Sequence, residues 1–187
     1  MKKVTVTAGQ STSTIMVNRP PWNKVYGGYP KTNAGTASEG DLLNTEVFTQ
    51  VFGVDYDPVT YHNACGTRTS LALLAGGMGG VGERGIKITN KSNIYYGKTI
   101  EPGAGNLKTF LEKKWGKADE IIKFPKTVDD VSKRLNNKKG IYIMIPTRPS
   151  DFGGATGHAT LWTGNRVMGD NYCIDEHTYA IYFWELK

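Results

Sequence analysis

At 187 residues, with 39% hydrophobic and 21% charged side chains, the chain can bury one core without metal or disulfide staples, and this composition excludes wholesale disorder. A formal charge of +6 favours anionic material: nucleic acid, an acidic membrane surface or an acidic cell-wall polymer. The basic residues are spread out, with short pairs at Lys113-Lys114 and Lys138-Lys139, and no nucleic-acid motif accompanies them, so nucleic acid is not expected as a partner. Only Cys65 and Cys173 are present, too few for a disulfide framework. No stretch is apolar enough to span a bilayer, and Met1-Lys2-Lys3 leads into Thr and Ser rather than a signal-peptide core. The expectation is a soluble chain made in the cytoplasm, without membrane insertion; if it acts outside the cytoplasm, something other than the general export route must carry it.

In chain order, residues 1–18 alternate valine with Lys and Thr and then run into Ser/Thr, predicting an edge strand or a loose arm. Arg19-Pro20-Pro21-Trp22 opens a helix whose core face is Trp22, Val25 and Tyr26, ended by Gly27-Gly28. Residues 31–40 read as a loop. Asp41 is the expected cap of a helix through Phe52, with Leu43, Val47 and Val51 on one face and Gly53 closing it. Asn63 then caps a helix with Leu71, Leu74 and Met78 facing inward, stopped at Gly76-Gly77, and Cys65 falls in its first turn.

Six glycines between Gly76 and Gly85 suggest a phosphate loop, but no Gly-Lys-Ser/Thr follows, so a flexible connection is expected. Ile86-Lys87-Ile88 reads as a short strand, and Tyr95-Tyr96-Gly97 as a turn. Leu107, Phe110, Leu111 and Trp115 make a helical stripe stopped at Gly116. Thr127 and Asp130 form a capping box for a helix burying Val128, Val131 and Leu135. Ile141 to Ile145 is the expected central strand, covered on both faces. A strand from His158 to Thr163, a Gly164-Asn165 turn and a last strand from Tyr179 to Leu186 follow. N-terminal helices packed on an antiparallel sheet describe one α+β domain over 1–187.

Chemistry gathers at two places. Cys65 at a helix start meets unpaired N–H groups and the positive end of the dipole, which favour thiolate. His158, Thr160 and Trp162 share one face of their strand, and a partner strand after the turn would bring Asp170 or Asn171 to His158, to accept its second N–H. Cysteine, histidine and an acid or amide compose a nucleophilic site. His62 beside the cysteine motif is left out of it as a solvent-side or capping residue.

Arg19-Pro20-x-Trp22 with Tyr29-Pro30, Asn63-Ala64-Cys65-Gly66-Thr67-Arg68-Thr69-Ser70, Gly157-His158-Ala159-Thr160-Leu161-Trp162 and the terminal Tyr182-Phe183-Trp184-Glu185-Leu186 together resemble the type VI secretion amidase effectors of family 4. The resemblance runs from about Arg19 to the C-terminus and leaves 1–18 as an N-terminal extension. It implies a papain-like, NlpC-type cysteine peptidase fold and an antibacterial peptidoglycan amidase, acting in the target-cell periplasm, that cuts between D-glutamate and meso-diaminopimelate. It also implies peptidoglycan stem peptides, a cognate immunity protein and the type VI secretion machinery as partners, and no cofactor. Cys65 matches the nucleophile, His158 the general base and Asp170 the third member, with Asn171 and Asp175 in nearby registers. Arg68 and Trp162 are the candidate substrate-binding residues.

Three other readings fit parts of the pattern. An acyltransferase, transglutaminase or deamidase needs the same three groups. A non-catalytic peptidoglycan-binding module needs none of them to be reactive. A metal-stabilised module has only the Cys173-x₃-His177 spacing, half of a zinc site, and no metal is expected.

Overall fold

The alternating start of the chain pairs with the Ser/Thr run that follows it. In the computed structural model, which describes residues 2–9 and 11–187, β1 (Lys2–Ala8) and β2 (Ser11–Val17) form an antiparallel hairpin in register from Lys2 opposite Val17 to Ala8 opposite Ser11. Met1 and Gln10, within the expected 1–18 extension, lie outside the described residues. Pro21 then caps α1 (Trp22–Gly28), which buries Val25, and the Trp22 N–H donates to the Lys187 carbonyl, tying the helix to the C-terminus.

Residues 31–40 are less irregular than expected, because β3 (Lys31–Thr32) pairs with β4 (Gly40–Asp41). Asp41 therefore belongs to a strand and caps nothing. α2 (Asn44–Phe52) starts three residues later behind Leu43, which is exposed, and buries Val47, Phe48 and Val51. α3 (Cys65–Ala75) is buried at every residue from Cys65 to Leu74. The glycine-rich stretch after it is folded down: the Val81 N–H donates to Thr99, beside the small ladder of β5 (Ile86–Lys87) and β6 (Thr99–Ile100). Within it, Gly85 lets backbone approach backbone, since a Cβ there would lie 2.5 Å from the Ile100 carbonyl oxygen.

α4 (Ala104–Trp115) buries the expected stripe and ends at Gly116. A short strand that hydrophobic patterning did not reveal, β7 (Glu120–Lys123), follows directly. α5 (Val128–Leu135) carries the capping box, with Thr127 accepting from the Asp130 N–H. β8 (Gly140–Pro146), β9 (His158–Trp162) and β10 (Thr178–Glu185) complete a four-stranded antiparallel sheet in the order β7-β10-β8-β9. One face carries Ile141, Ile143, Ala159 and Leu161 into a core shared with α1 to α4, and the other packs Tyr142, Met144, Trp162, Ile181 and Phe183 with α5. The mixed helix and antiparallel-sheet class is thus as expected.

One expected strand is absent among the described residues. After Gly164 the chain makes a single bridge from Val167 to Trp162 and then a short 3₁₀ turn over Met168–Asp170. Gly169 and Asp170 both have positive φ, 75° and 53°, which no strand accommodates, so β9 has β8 as its ladder partner instead.

Candidate active site

Helix α3 begins one residue later than its capping pattern suggests. Ala64 is the N-cap and makes no side-chain cap, while the Asn63 side-chain oxygen accepts the Cys65 N–H at 3.3 Å. What seats this end is close packing. A Cβ on Gly66 would lie 2.2 Å from the Pro102 carbonyl oxygen, so only glycine lets the two backbones touch. One turn on, the Ser70 hydroxyl donates to the Glu101 carbonyl and accepts the Glu101 N–H, each at 3.0 Å. The first turn is thereby fixed against the segment that leads into α4.

Strand β9 brings His158 to the same place. Gly157 precedes it with φ 144°, and its Cβ would fall 2.1 Å from the Met144 carbonyl oxygen, so the strand enters the sheet hard against β8. The Cys65 sulfur accepts the backbone N–H groups of Ala159 and Gly66, which places it beside the start of β9. Cys65 and His158 line one cavity of about 390 Å³ together with Asp41, Asn44, Arg68 and Asn171. A second cavity, of about 350 Å³, adjoins it at His62, Asn63 and Cys65 and runs along Gly103, Ala104 and Gly153–Gly157. The sulfur stands where the two meet.

The electrostatics depart from the expected thiolate. Burial pushes the Cys65 thiol up, and the Ala159 and Gly66 N–H groups and the Arg68 charge do not reverse it. Burial, and then the nearby Arg68 charge, bring the His158 imidazole from 6.5 down to about 4. Burial thus favours the uncharged form of each group, the thiol and the imidazole, on this one cavity. His158 is only 7% exposed, and its Nε2 has no hydrogen-bond partner among the described residues. A buried imidazole whose Nε2 is unpartnered lines the same cavity as a thiol, and these are the two groups that nucleophilic acyl chemistry uses.

The other candidate residues are distributed differently. The Asp170 carboxylate points outward, 2.9 Å from Arg166, and does not line the cavity. Its neighbour Asn171 does line it, and the Asn171 side-chain oxygen accepts from the Cys173 N–H at 3.2 Å and from its thiol at 3.0 Å. Asp175 accepts the His177 N–H and the Thr178 hydroxyl in a local turn. Cys173 shares the cavity, its thiol pushed up to about 12 by burial first and by Cys65 and Asp175 next.

Arg68 lies in the cavity wall, but its donors are committed within the fold: Nε and Nη2 to the Leu42 carbonyl, Nη2 also to Asn44 at 2.7 Å, and Nη1 near Asp41 at 3.6 Å. Trp162 does not reach the cavity. It is wholly buried on the sheet face that α5 covers, with Nε1 donating to the Leu135 carbonyl at 2.9 Å and its ring against Tyr142 and Tyr172. His62 is exposed on the rim of both cavities.

Asp41 and Asn44 were not foreseen as site residues. Asp41 accepts from the Tyr29 hydroxyl at 3.0 Å, and burial raises its carboxyl above the ordinary range despite Arg68 and Tyr29. The signal for it in the sequence is Tyr29-Pro30 closely followed by an acid, and that pairing emerges only once β3 and β4 are known to pair. Among the described residues no group of three or more potential metal ligands exists.

A family model described as type VI secretion system (T6SS), amidase effector protein 4, or Tae4, matches residues 61–184, well over half of the chain and including both Cys65 and His158. The chain belongs to the Tae4 family. It is therefore an amidase effector of type VI secretion, a hydrolase and a secreted one. Among solved structures, Tae4 from Enterobacter cloacae matches with TM-score 0.65 at 21% identity, covering 92% of this chain and 100% of that one. Tae4 bound to Tai4, an effector–immunity complex from Enterobacter cloacae, matches with TM-score 0.66 at 22% identity over 91% and 100%. Tae4 of the Tae4/Tai4 system from Salmonella typhimurium, as a selenomethionine variant, gives 0.63 at 21% over 91% and 100%. At these identities the structural likeness speaks for the Tae4 fold alone. No curated protein sequence gives a significant match. Among the described residues no helix is long and apolar enough to cross a membrane.

Proposed function

We propose that this Tae4-family chain hydrolyses the amide between D-glutamate and meso-diaminopimelate in peptidoglycan stem peptides, with Cys65 as nucleophile and His158 as general base. The observation that carries the reading is the placement of a buried thiol and a buried imidazole on one cavity, with Nε2 of the imidazole unpartnered. The thiol proton moves to His158 as the sulfur attacks the γ-carbonyl of D-glutamate. First-turn N–H groups of α3 face the developing oxyanion. The imidazolium then protonates the departing diaminopimelate amine, and a water deprotonated by His158 releases the thioester as a carboxylate.

The resemblance gives the third place to Asp170. We give it to Asn171, because Asn171 is the residue of that turn whose side chain lines the cavity, and papain-like sites use an amide in this role. The helix-start cysteine followed by a sheet carrying the histidine supports the papain-like, NlpC-type class. Residues from about Arg19 onward form the catalytic domain, and 1–18 are an appendage to it. Family membership supports action in the periplasm of a target cell, and the Tai4 complexes of related effectors support a cognate immunity protein as partner.

The test is mass spectrometry of muropeptides released from a diaminopimelate-type peptidoglycan by the native protein and by Cys65→Ala. Fragments split between D-glutamate and diaminopimelate, made by the native protein only, are expected. An acceptor-dependent product in place of the free carboxylate would make the chain an acyl transferase, and equal inertness of both folded proteins would leave it a binding module.

A further inference from the structure

Among the described residues three Asp, Glu, Lys or Arg side chains are buried, and two of them are matched. Arg68 has Asp41, and Glu39 takes the Tyr26 hydroxyl and the Gly35 N–H with the Lys31 charge nearby. The third, Glu101, follows β6 and is 6% exposed. Its Oε1 accepts the Gly103 N–H at 3.1 Å and Asn106 Nδ2 at 3.5 Å. Its Oε2 accepts no hydrogen bond, and neither oxygen has a cation beside it among the described residues. A carboxylate taken out of water calls for a cation or a full set of hydrogen bonds.

Glu101 lines a cavity of about 310 Å³ with Glu83, Arg84, Asn106, Thr109 and Phe110, none of which lines either cavity at Cys65. A Cβ on Gly82 would stand 3.1 Å from Oε2, so glycine at 82 leaves room beside the oxygen that has no partner. Glu83 is taken up by Lys113 at 2.6 Å, whereas Arg84 is exposed and has no ion-pair partner among the described residues. The cavity thus offers one free carboxylate oxygen and one free guanidinium that do not pair with each other, beside Phe110. A space of that size suits a small ligand.

We propose that this cavity is a second ligand site, separate from the catalytic one, that takes an α-amino-acid head group, with the ammonium on Glu101 Oε2 and the carboxylate on Arg84. The ammonium supplies the charge that the buried carboxylate lacks, and the planar guanidinium is the natural partner of the ligand's carboxylate. In peptidoglycan such a head group is the unlinked end of diaminopimelate, a source that rests on the substrate proposed above. A free amino acid offers the same chemistry. Glu101 Oε1 meanwhile holds the N–H of Gly103, which lines the cavity beside Cys65, so one side chain stands between the two sites.

The experiment is an amide-resolved NMR titration of the native protein with D-alanine, N-acetyl-D-alanine, ethylamine and sodium chloride. D-Alanine is expected to shift the amides of residues 82–85, 101–103 and 105–110 saturably, and N-acetyl-D-alanine to leave them in place. Ethylamine should bind about tenfold more weakly than D-alanine, for want of one charge-assisted contact. Arg84→Ala brings D-alanine down to the ethylamine affinity, and Glu101→Gln, which keeps an acceptor for the Gly103 N–H, removes the response. Equal shifts with N-acetyl-D-alanine or with sodium chloride overturn the inference, as does a D-alanine response confined to the amides around Cys65 and His158. With the Cys65→Ala protein, a muropeptide ending in unlinked diaminopimelate that binds there more tightly than D-alanine makes the stem the source, and one that binds no better makes it a free amino acid. No turnover enters these titrations, so failure of the native protein to cleave muropeptides bears on the catalytic proposal alone.

Discussion

Gly66 and the Pro102 carbonyl oxygen touch so closely that a single added methyl would stand 2.2 Å from that oxygen. The contact is backbone against backbone, so no side chain can swing away to relieve it. Gly66→Ala is expected to cost about 1–3 kcal/mol. It should also push the start of α4 away from Cys65 and lower turnover more than a surface glycine change such as Gly79→Ala, where a Cβ meets open space. Thermal melts and muropeptide kinetics on the two variants check this, and unchanged turnover in a folded Gly66→Ala protein would contradict it.

The neutral resting state of His158 sets a pH dependence of stability. Its folded pKa, about 4, lies below the 6.5 of the unfolded chain, so the unfolded state binds the proton first as pH falls. Stability linked to this group is complete above 6.5 and is lost between 6.5 and about 4, by ~3 kcal/mol. His158→Gln should flatten that part of the curve. Denaturant titrations at pH 7 and pH 4.5, native against variant, read the difference directly.

Arg68 is expected to act through position and field. Arg68→Met leaves Asp41 buried without its cation and frees the Leu42 carbonyl, a loss on the order of 3 kcal/mol. It also removes a charge that lowers His158, so the acid limb of the pH–rate profile should move upward from about 4 toward 6.5. Measurement of that limb separates this account from direct substrate binding, which would raise KM and leave the limb in place.

Asn171 and Asp170 give opposite expectations although adjacent. Asn171→Ala removes the amide proposed to accept from the His158 imidazolium during turnover and should reduce kcat on the order of 10²-fold. Asp170→Ala removes an exposed pair with Arg166 and should leave kcat within about twofold. The reverse pattern would return the third place to Asp170.

Much of this fold was legible because its signals are local. The Thr127–Asp130 box, the Leu107–Trp115 stripe and the apolar run after Gly140 each depend on residues within a turn or two, and each forms the expected element. Cys65 and His158 were visible for the same reason, as a helix start and a strand start. What escaped depends on partners distant in sequence. β7 is a strand because β10 lies beside it, and Glu120-Ile121-Ile122-Lys123 has no alternation to announce that. Asp41 looked like a helix cap until β3 paired with β4 and turned it inward. Trp162 stands on the same strand as His158, but α5 and Tyr172 cover it, and burial raises the pKa of the thiol that helix-dipole reasoning would ionise.

The two cavities that meet at Cys65 have unlike walls. On one side stand Asp41, Asn44, Arg68 and Asn171, and on the other the small residues of Pro102-Gly103-Ala104 and the 153–157 loop. An amide whose carbonyl carbon rests at the sulfur therefore meets ionic and amide groups in one direction and small, uncharged residues in the other. Flipped end for end, the same molecule would present each half to the wrong wall. The site thus has a polarity: its two walls distinguish the two directions along a chain laid across the sulfur.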